Sequence, residues 1–132
     1  MSERSSEVVE FINARLDEEE MAAVAATRGP WKVTAPRGYP QRIINDRVAI
    51  IAETYTGPQI PPYNARHIVC QDPNRTFRKV RALRSLLKAH VDYYGPGDDE
   101  HFPIPTLRIL AAIWDDHDDY PDALKGEEAR DA

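Results

Sequence analysis

A chain of 132 residues with 42% hydrophobic and 30% charged residues can bury one real core and reads as an ordinary soluble globular polypeptide. No apolar run approaches the ~20 residues that span a bilayer, and the N-terminal residues lack the apolar stretch of a secretory signal, so no membrane role is expected and the cytoplasm is the default compartment. A single cysteine, Cys70, excludes an internal disulfide and a multi-cysteine zinc site, and a net charge of −5 argues against a general nucleic-acid coat.

In chain order, residues 6 to 27 read as a first helix. Val8, Val9, Ile12 and Leu16 form an apolar stripe, with Ser5 or Ser6 available to cap the first amides. The stripe weakens at Asp17-Glu18-Glu19-Glu20, resumes in the alanine-rich segment from Met21 to Ala26, and stops at Gly29-Pro30. Trp31-Lys32-Val33 opens a short strand. Arg42-Ile43-Ile44 and the segment from Arg47 to Tyr55 flank Asn45-Asp46, residues that suit a tight hairpin turn. These make an antiparallel meander of about three strands.

Residues 57 to 63 hold three prolines and read as a loop. Asn64 is expected to cap a short helical turn running to about Cys70, which packs as a small apolar residue. Asp72-Pro73 starts a long helix, with Asp at N-cap and Pro at N1, running to Tyr94 before Gly95-Pro96-Gly97. Twenty-two residues make a rod of roughly 33 Å. Its apolar stripe is Phe77, Val80, Leu83, Leu87, Val91 and Tyr94, with Leu86 beside it. Residues 95 to 105 form a loop, a last helix spans about 106 to 116 with Leu107, Leu110, Ala111 and Trp114 on one face, and 121–132 reads as a flexible acidic tail after a single domain over 1–120. The expected fold is α+β, a small antiparallel sheet packed against a long central helix and two flanking helices.

Charge is distributed unevenly. Between Arg75 and Lys88 the long helix carries Arg75, Arg78, Lys79, Arg81, Arg84 and Lys88 and no acid, leaving −11 for the rest of the chain. These six residues are the candidate binding face, for phosphates or for an acidic partner helix. The structural alternative is a solvated face partly paired with Asp17 to Glu20 or with Asp115 to Asp119. No glycine-rich phosphate loop or aromatic platform accompanies them.

A second candidate is polar: His67, Asp72, His117 and Asp119. Asp115-Asp116-His117-Asp118-Asp119 places four carboxylates at a helix C-terminus, where the dipole opposes them, so arginines, water or a cation must compensate. His67 before Asp72 could be an oriented base, or a residue that fixes a corner. A metal-assisted hydrolase or nuclease would need the fold to gather these four. No nucleophile motif or cofactor fingerprint is present, and no cofactor is expected.

Gly29-Pro30-Trp31, the Ile/Val-rich hairpin, Ala65-Arg66-His67-Ile68, Asp72-Pro73, Arg75, the helix from Arg78 to Leu87, Leu107 to Ala111 and His117-Asp118-Asp119-Tyr120 occur in that order. This order resembles a family of small actinobacterial and actinobacteriophage proteins of unknown function, over nearly the whole chain to Tyr120. Two positions depart from that pattern. Gln71 stands where the helix start carries a second His, which weakens any role needing paired histidines there, and Asp118 stands where a Pro follows the C-terminal His. The resemblance implies no activity. The reading that follows is a non-catalytic accessory protein that binds another macromolecule, a host or phage protein first and nucleic acid second, with self-association open because a basic helix and an acidic cluster can pair between copies.

Overall fold

The first helix, α1, spans Glu3–Ala25. Val8, Ile12 and Leu16 of its stripe are buried together with Phe11, while Val9 is half-buried. The helix begins earlier than the serines suggest, so Ser5 is buried within it rather than capping it. Three strands follow, β1 (Trp31–Thr34), β2 (Gln41–Asn45) and β3 (Ile50–Thr54), then α2 (Asn64–Val69), α3 (Pro73–Tyr94) and α4 (Pro105–Ala111), which tightens into a 3-10 turn at Ala112–Trp114. The computed structural model describes residues 3–35, 40–54, 63–94 and 105–125. The expected loops at 57–63 and 95–105 fall almost wholly outside these residues, as does 126–132.

The contact pattern divides the chain, which its sequence suggests is one domain over 1–120, into two compact units. One comprises residues 1–18 and 81–132, the other residues 19–80; α1 and α3 contribute to both.

The 19–80 unit is built on the sheet, a meander in the order β1-β2-β3 with antiparallel pairing throughout. Trp31 pairs with Asn45 and Thr34 with Arg42; Gln41 pairs with Thr54 and Arg42 with Glu53. The register slips between Ile43 and Ile44, which pair with Ala52 and Ile50, so Ile51 is an extra residue in β3. Successive strand residues point to opposite faces. Ile43 and Ile44 are both buried, so the central strand is covered on both sides, and α2 packs across all three strands.

The hairpin turn differs from the expected one. Asn45 is buried and its side chain organises the turn: Oδ1 accepts the amides of Arg47 (3.0 Å) and Ala49 (2.9 Å), and Nδ2 donates to the Arg28 carbonyl (3.1 Å). The positive φ (61°) falls on Val48, a β-branched residue to which that region is costly. The loop is two residues longer than a tight turn at Asn45-Asp46.

Asp72 starts α3 as its sequence predicts: its Oδ1 accepts the Asn74 amide at 2.7 Å. α2 lacks the expected cap, because Tyr63 occupies the N-cap position without a side-chain bond and Asn64 is already helical. Cys70 is exposed rather than packed.

In the other unit Leu107, Leu110 and Ala111 of α4 are buried with Leu87 of α3, while Trp114 is half-buried. The described chain continues past Tyr120, into the segment expected as a flexible tail. Residues 122–125 form a helical turn and Leu124 is fully buried.

Candidate functional site

Three of the six basic residues on α3 are ion-paired. The acidic run that interrupts the stripe of α1 supplies two of the partners: Asp17 meets Arg84 at 2.6 Å, and Glu19 meets Lys79 at 3.4 Å. Lys88 pairs with Asp92 one turn on, at 2.5 Å. Exposed pairs of this kind contribute about 0–1 kcal/mol each, so they orient side chains more than they stabilise. Arg75 donates to the Cys70 sulfur at 3.6 Å. Arg78 and Arg81 are exposed and carry no ion pair among the described residues.

The same side of α3 holds apolar residues. Ala82, Leu86, Ala89 and Tyr93 are all exposed, Leu86 by 48% and Tyr93 by 83%. Their spacing of four, three and four keeps them in one line along a helix. Leu86 therefore belongs to a second seam opposite the buried one, which runs through Val80, Leu87 and the unpredicted His90. Charge also follows the two units. Residues 19–80 contain nine basic and five acidic residues, for a net +4, and the remainder is −9.

The polar candidates do not form one group. Asp72 is buried, and its second oxygen, Oδ2, accepts the Trp31 amide at 2.5 Å. Both oxygens thus satisfy backbone donors at the corner where Gly29-Pro30-Trp31 meets the start of α3. Gly29 lies against this carboxylate: a Cβ there would stand 3.1 Å from Asp72 Cγ and closer still to Oδ1. The Gly-Pro-Trp and Asp-Pro motifs are two halves of one structural joint. His67 is exposed on α2.

His117 and Asp119 instead belong to a cluster around Arg15. The Arg15 guanidinium is buried over the Phe11 ring (5.1 Å to the centroid) and reaches Glu18 at 3.1 Å and Asp119 at 3.7 Å. It contacts both ring nitrogens of His117, Nδ1 at 2.6 Å. The Asp119 amide also donates to Nδ1 (3.0 Å), and Nε2 lies 3.8 Å from the Glu18 carboxylate. Phe11 packs edge-on to His117 and Tyr120. Arginine therefore offsets part of the acidic cluster, one of the three compensations its charge demanded. Sequence reasoning passed over Arg15, although it lies beside Ile12 and Leu16 on the buried side of α1.

His90 was also missed. It occupies a core position on α3, its ring tilted against Tyr94 at 4.6 Å, with Nε2 buried and without a hydrogen-bond partner among the described residues. Burial lowers its pKa from 6.5, because a charged ring there would lose its hydration. The signal was its spacing, three residues after Leu87.

Among the described residues no three His, Cys, Asp or Glu side chains are grouped to hold a metal ion. A cavity of about 260 Å³ lies between the end of α1 (Glu19, Ala22, Ala23, Ala26) and the start of α3 (Pro73, Thr76, Lys79). Small side chains and the Glu19–Lys79 pair line it, without the convergent polar groups of a catalytic cleft. No helix among the described residues is long and apolar enough to cross a membrane.

The fold and these surfaces define a small α+β protein whose polar motifs hold joints and whose long helix presents an apolar seam beside two arginines without an ion pair among the described residues. The chain belongs to a family of unknown function, DUF6221, which matches residues 5–124. No curated protein and no solved structure matches it.

Proposed function

We propose that this chain is a non-catalytic accessory protein of the cytoplasm that works by binding another protein, and that the outward face of α3 is where it binds. The observation that carries the reading is the exposed line Ala82, Leu86, Ala89 and Tyr93 beside Arg78 and Arg81. Aromatic and arginine side chains around an apolar centre are what protein interfaces use as anchors. The other polar clusters, at Asp72 and at Arg15–His117, are engaged in holding the chain together. A hydrolase built on His67, Asp72, His117 and Asp119 would have to take Asp72 away from two backbone amides.

The test is affinity capture from an actinobacterial lysate, the source to which the family resemblance points, with and without nuclease, using the native chain and Leu86→Glu. A stoichiometric protein that survives nuclease and is lost with Leu86→Glu supports the reading. Capture unchanged by Leu86→Glu counts against this face.

Nucleic-acid binding is a second reading, favoured by the +4 charge of residues 19–80. It predicts affinity that falls steeply with salt and is lost when Arg75, Arg78 and Arg81 are changed to Glu. Salt-insensitive binding removes it.

A further inference from the structure

We infer that the occupant of the outward α3 face is a second copy of this chain, docked through an antiparallel pair of α3 helices. The inference rests on the reading that this face binds protein, and it names the partner from the order of residues along one helix. α3 runs without interruption from Pro73 to Tyr94, so its midpoint falls between Leu83 and Arg84. Continued towards the N-terminus at the same spacing, the seam of Tyr93, Ala89, Leu86 and Ala82 passes through Lys79 and Arg75. A two-fold axis level with Arg84, half a residue from that midpoint, then sets Ala82 against Leu86 of the second copy. It sets the aliphatic stem of Lys79 against Ala89, and the Arg75 guanidinium against the ring of Tyr93, which is 83% exposed. Each contact occurs twice, as a two-fold interface requires.

Charge chooses the direction. Arg78, Ser85 and Asp92 recur every seven residues along one flank of the seam. In antiparallel helix pairs the same flank of each helix meets. Arg78 therefore faces Asp92 of the second copy, Ser85 meets its own counterpart, and Asp92 faces Arg78. The arginine-bearing end of one helix also lies on the negative pole of the other helix dipole. A parallel pair would place Arg78 on Arg78 and Asp92 on Asp92. Arg78 has no ion pair within its own chain among the described residues, and the Lys88–Asp92 contact is an exposed pair that can be shared. Two alanines and a serine at the centre let the helix axes approach closely. The seam is narrow, so the dimer is weak and concentration-dependent, towards the small end of specific interfaces.

The test is sedimentation equilibrium on the full chain over a concentration series, with circular dichroism to establish that each variant is folded. The native chain is expected to dimerise reversibly, and Leu86→Glu to remain monomeric. Arg78→Asp and Asp92→Arg are each expected to weaken dimerisation on the order of tenfold, since two attractive pairs become repulsive. An equimolar mixture of these two variants then restores native affinity, because each contact again joins opposite charges. A native chain that stays monomeric overturns the inference, as does a dimer indifferent to Leu86→Glu or a mixture no tighter than either variant alone. A monomer whose lysate partner is still lost with Leu86→Glu overturns the second copy as occupant and leaves the face as a site for a different protein. A dimer with the charge-swap signature supports the inference whatever the lysate yields.

Discussion

Replacing Asp72 with alanine tests the joint between the Gly29-Pro30-Trp31 corner and α3. The carboxylate accepts the Asn74 amide through one oxygen and the Trp31 amide through the other, and its residue is 4% exposed. Loss of an N-cap costs about 0.5–2 kcal/mol. Leaving the Trp31 amide without an acceptor in a part-buried site adds about 1–3 kcal/mol. The two effects share one side chain, so about 2–4 kcal/mol is expected for Asp72→Ala, measured by urea unfolding. Gly29→Ala is expected to cost about 1–3 kcal/mol for a different reason, because its new Cβ would collide with a carboxylate that two amides hold in place. Combined, the substitutions should not add. Once Asp72 is alanine the oxygens are gone, and most of the Gly29→Ala cost should vanish, a coupling of about 1–2 kcal/mol. Full additivity would falsify the account of this corner as one joint. Asp72→Asn is the control: it keeps the shape, exchanges one acceptor for a donor, and should fall between the native chain and Asp72→Ala.

Val48 sits at φ 61° with 70% of its surface exposed, so Val48→Asn should raise stability by about 1 kcal/mol, seen as a higher melting temperature. His90 has a folded-state pKa below 6.5, so the unfolded chain binds the proton first. Stability should hold above that value, fall as pH drops through it and level off below the folded-state pKa; in urea titrations His90→Leu should remove this part of the slope. Arg15→Ala, which empties the buried site over Phe11 and frees His117, should cost about 2–3 kcal/mol, whereas Asp17→Asn, at an exposed pair, should cost under about 1 kcal/mol. Equal losses in these two thermal melts would mean that burial does not distinguish the two arginines.

The interaction readings and these stability predictions depend on different residues. Leu86, Tyr93 and Arg78 are exposed, with Tyr93 edge-on to the neighbouring ring of Tyr94 at 5.0 Å, and Leu86→Glu should leave the melting temperature nearly unchanged. Asp72 and Arg15 hold the fold through buried contacts. A loss of binding in the first group with folding intact therefore reports on the surface itself.

Local chemistry was legible from the residues alone. Asp72-Pro73 marks the start of α3 because an Asp side chain caps free amides and Pro lacks the donor that would be wasted there. The alternation of turn residues with Val and Ile marks a three-stranded meander, and the spacing of four between Val8, Ile12 and Leu16 marks the buried side of α1. The expected basic helix face was only half legible. A run of like charges is visible in one dimension, but which charges are neutralised depends on what lies across from them. Asp17 and Glu19 sit more than fifty residues before Arg84 and Lys79, and tertiary packing alone brings each pair together. The same holds for Arg15 and His117, separated by 102 positions, and for the carboxylate of Asp72 under Gly29. Sequence spacing reports contacts within a helix or hairpin, where geometry repeats every 3.6 or 2 residues. Contacts between distant segments follow from how the faces are buried against one another, and they decided which polar residues hold the structure and which were left on the outward side of α3.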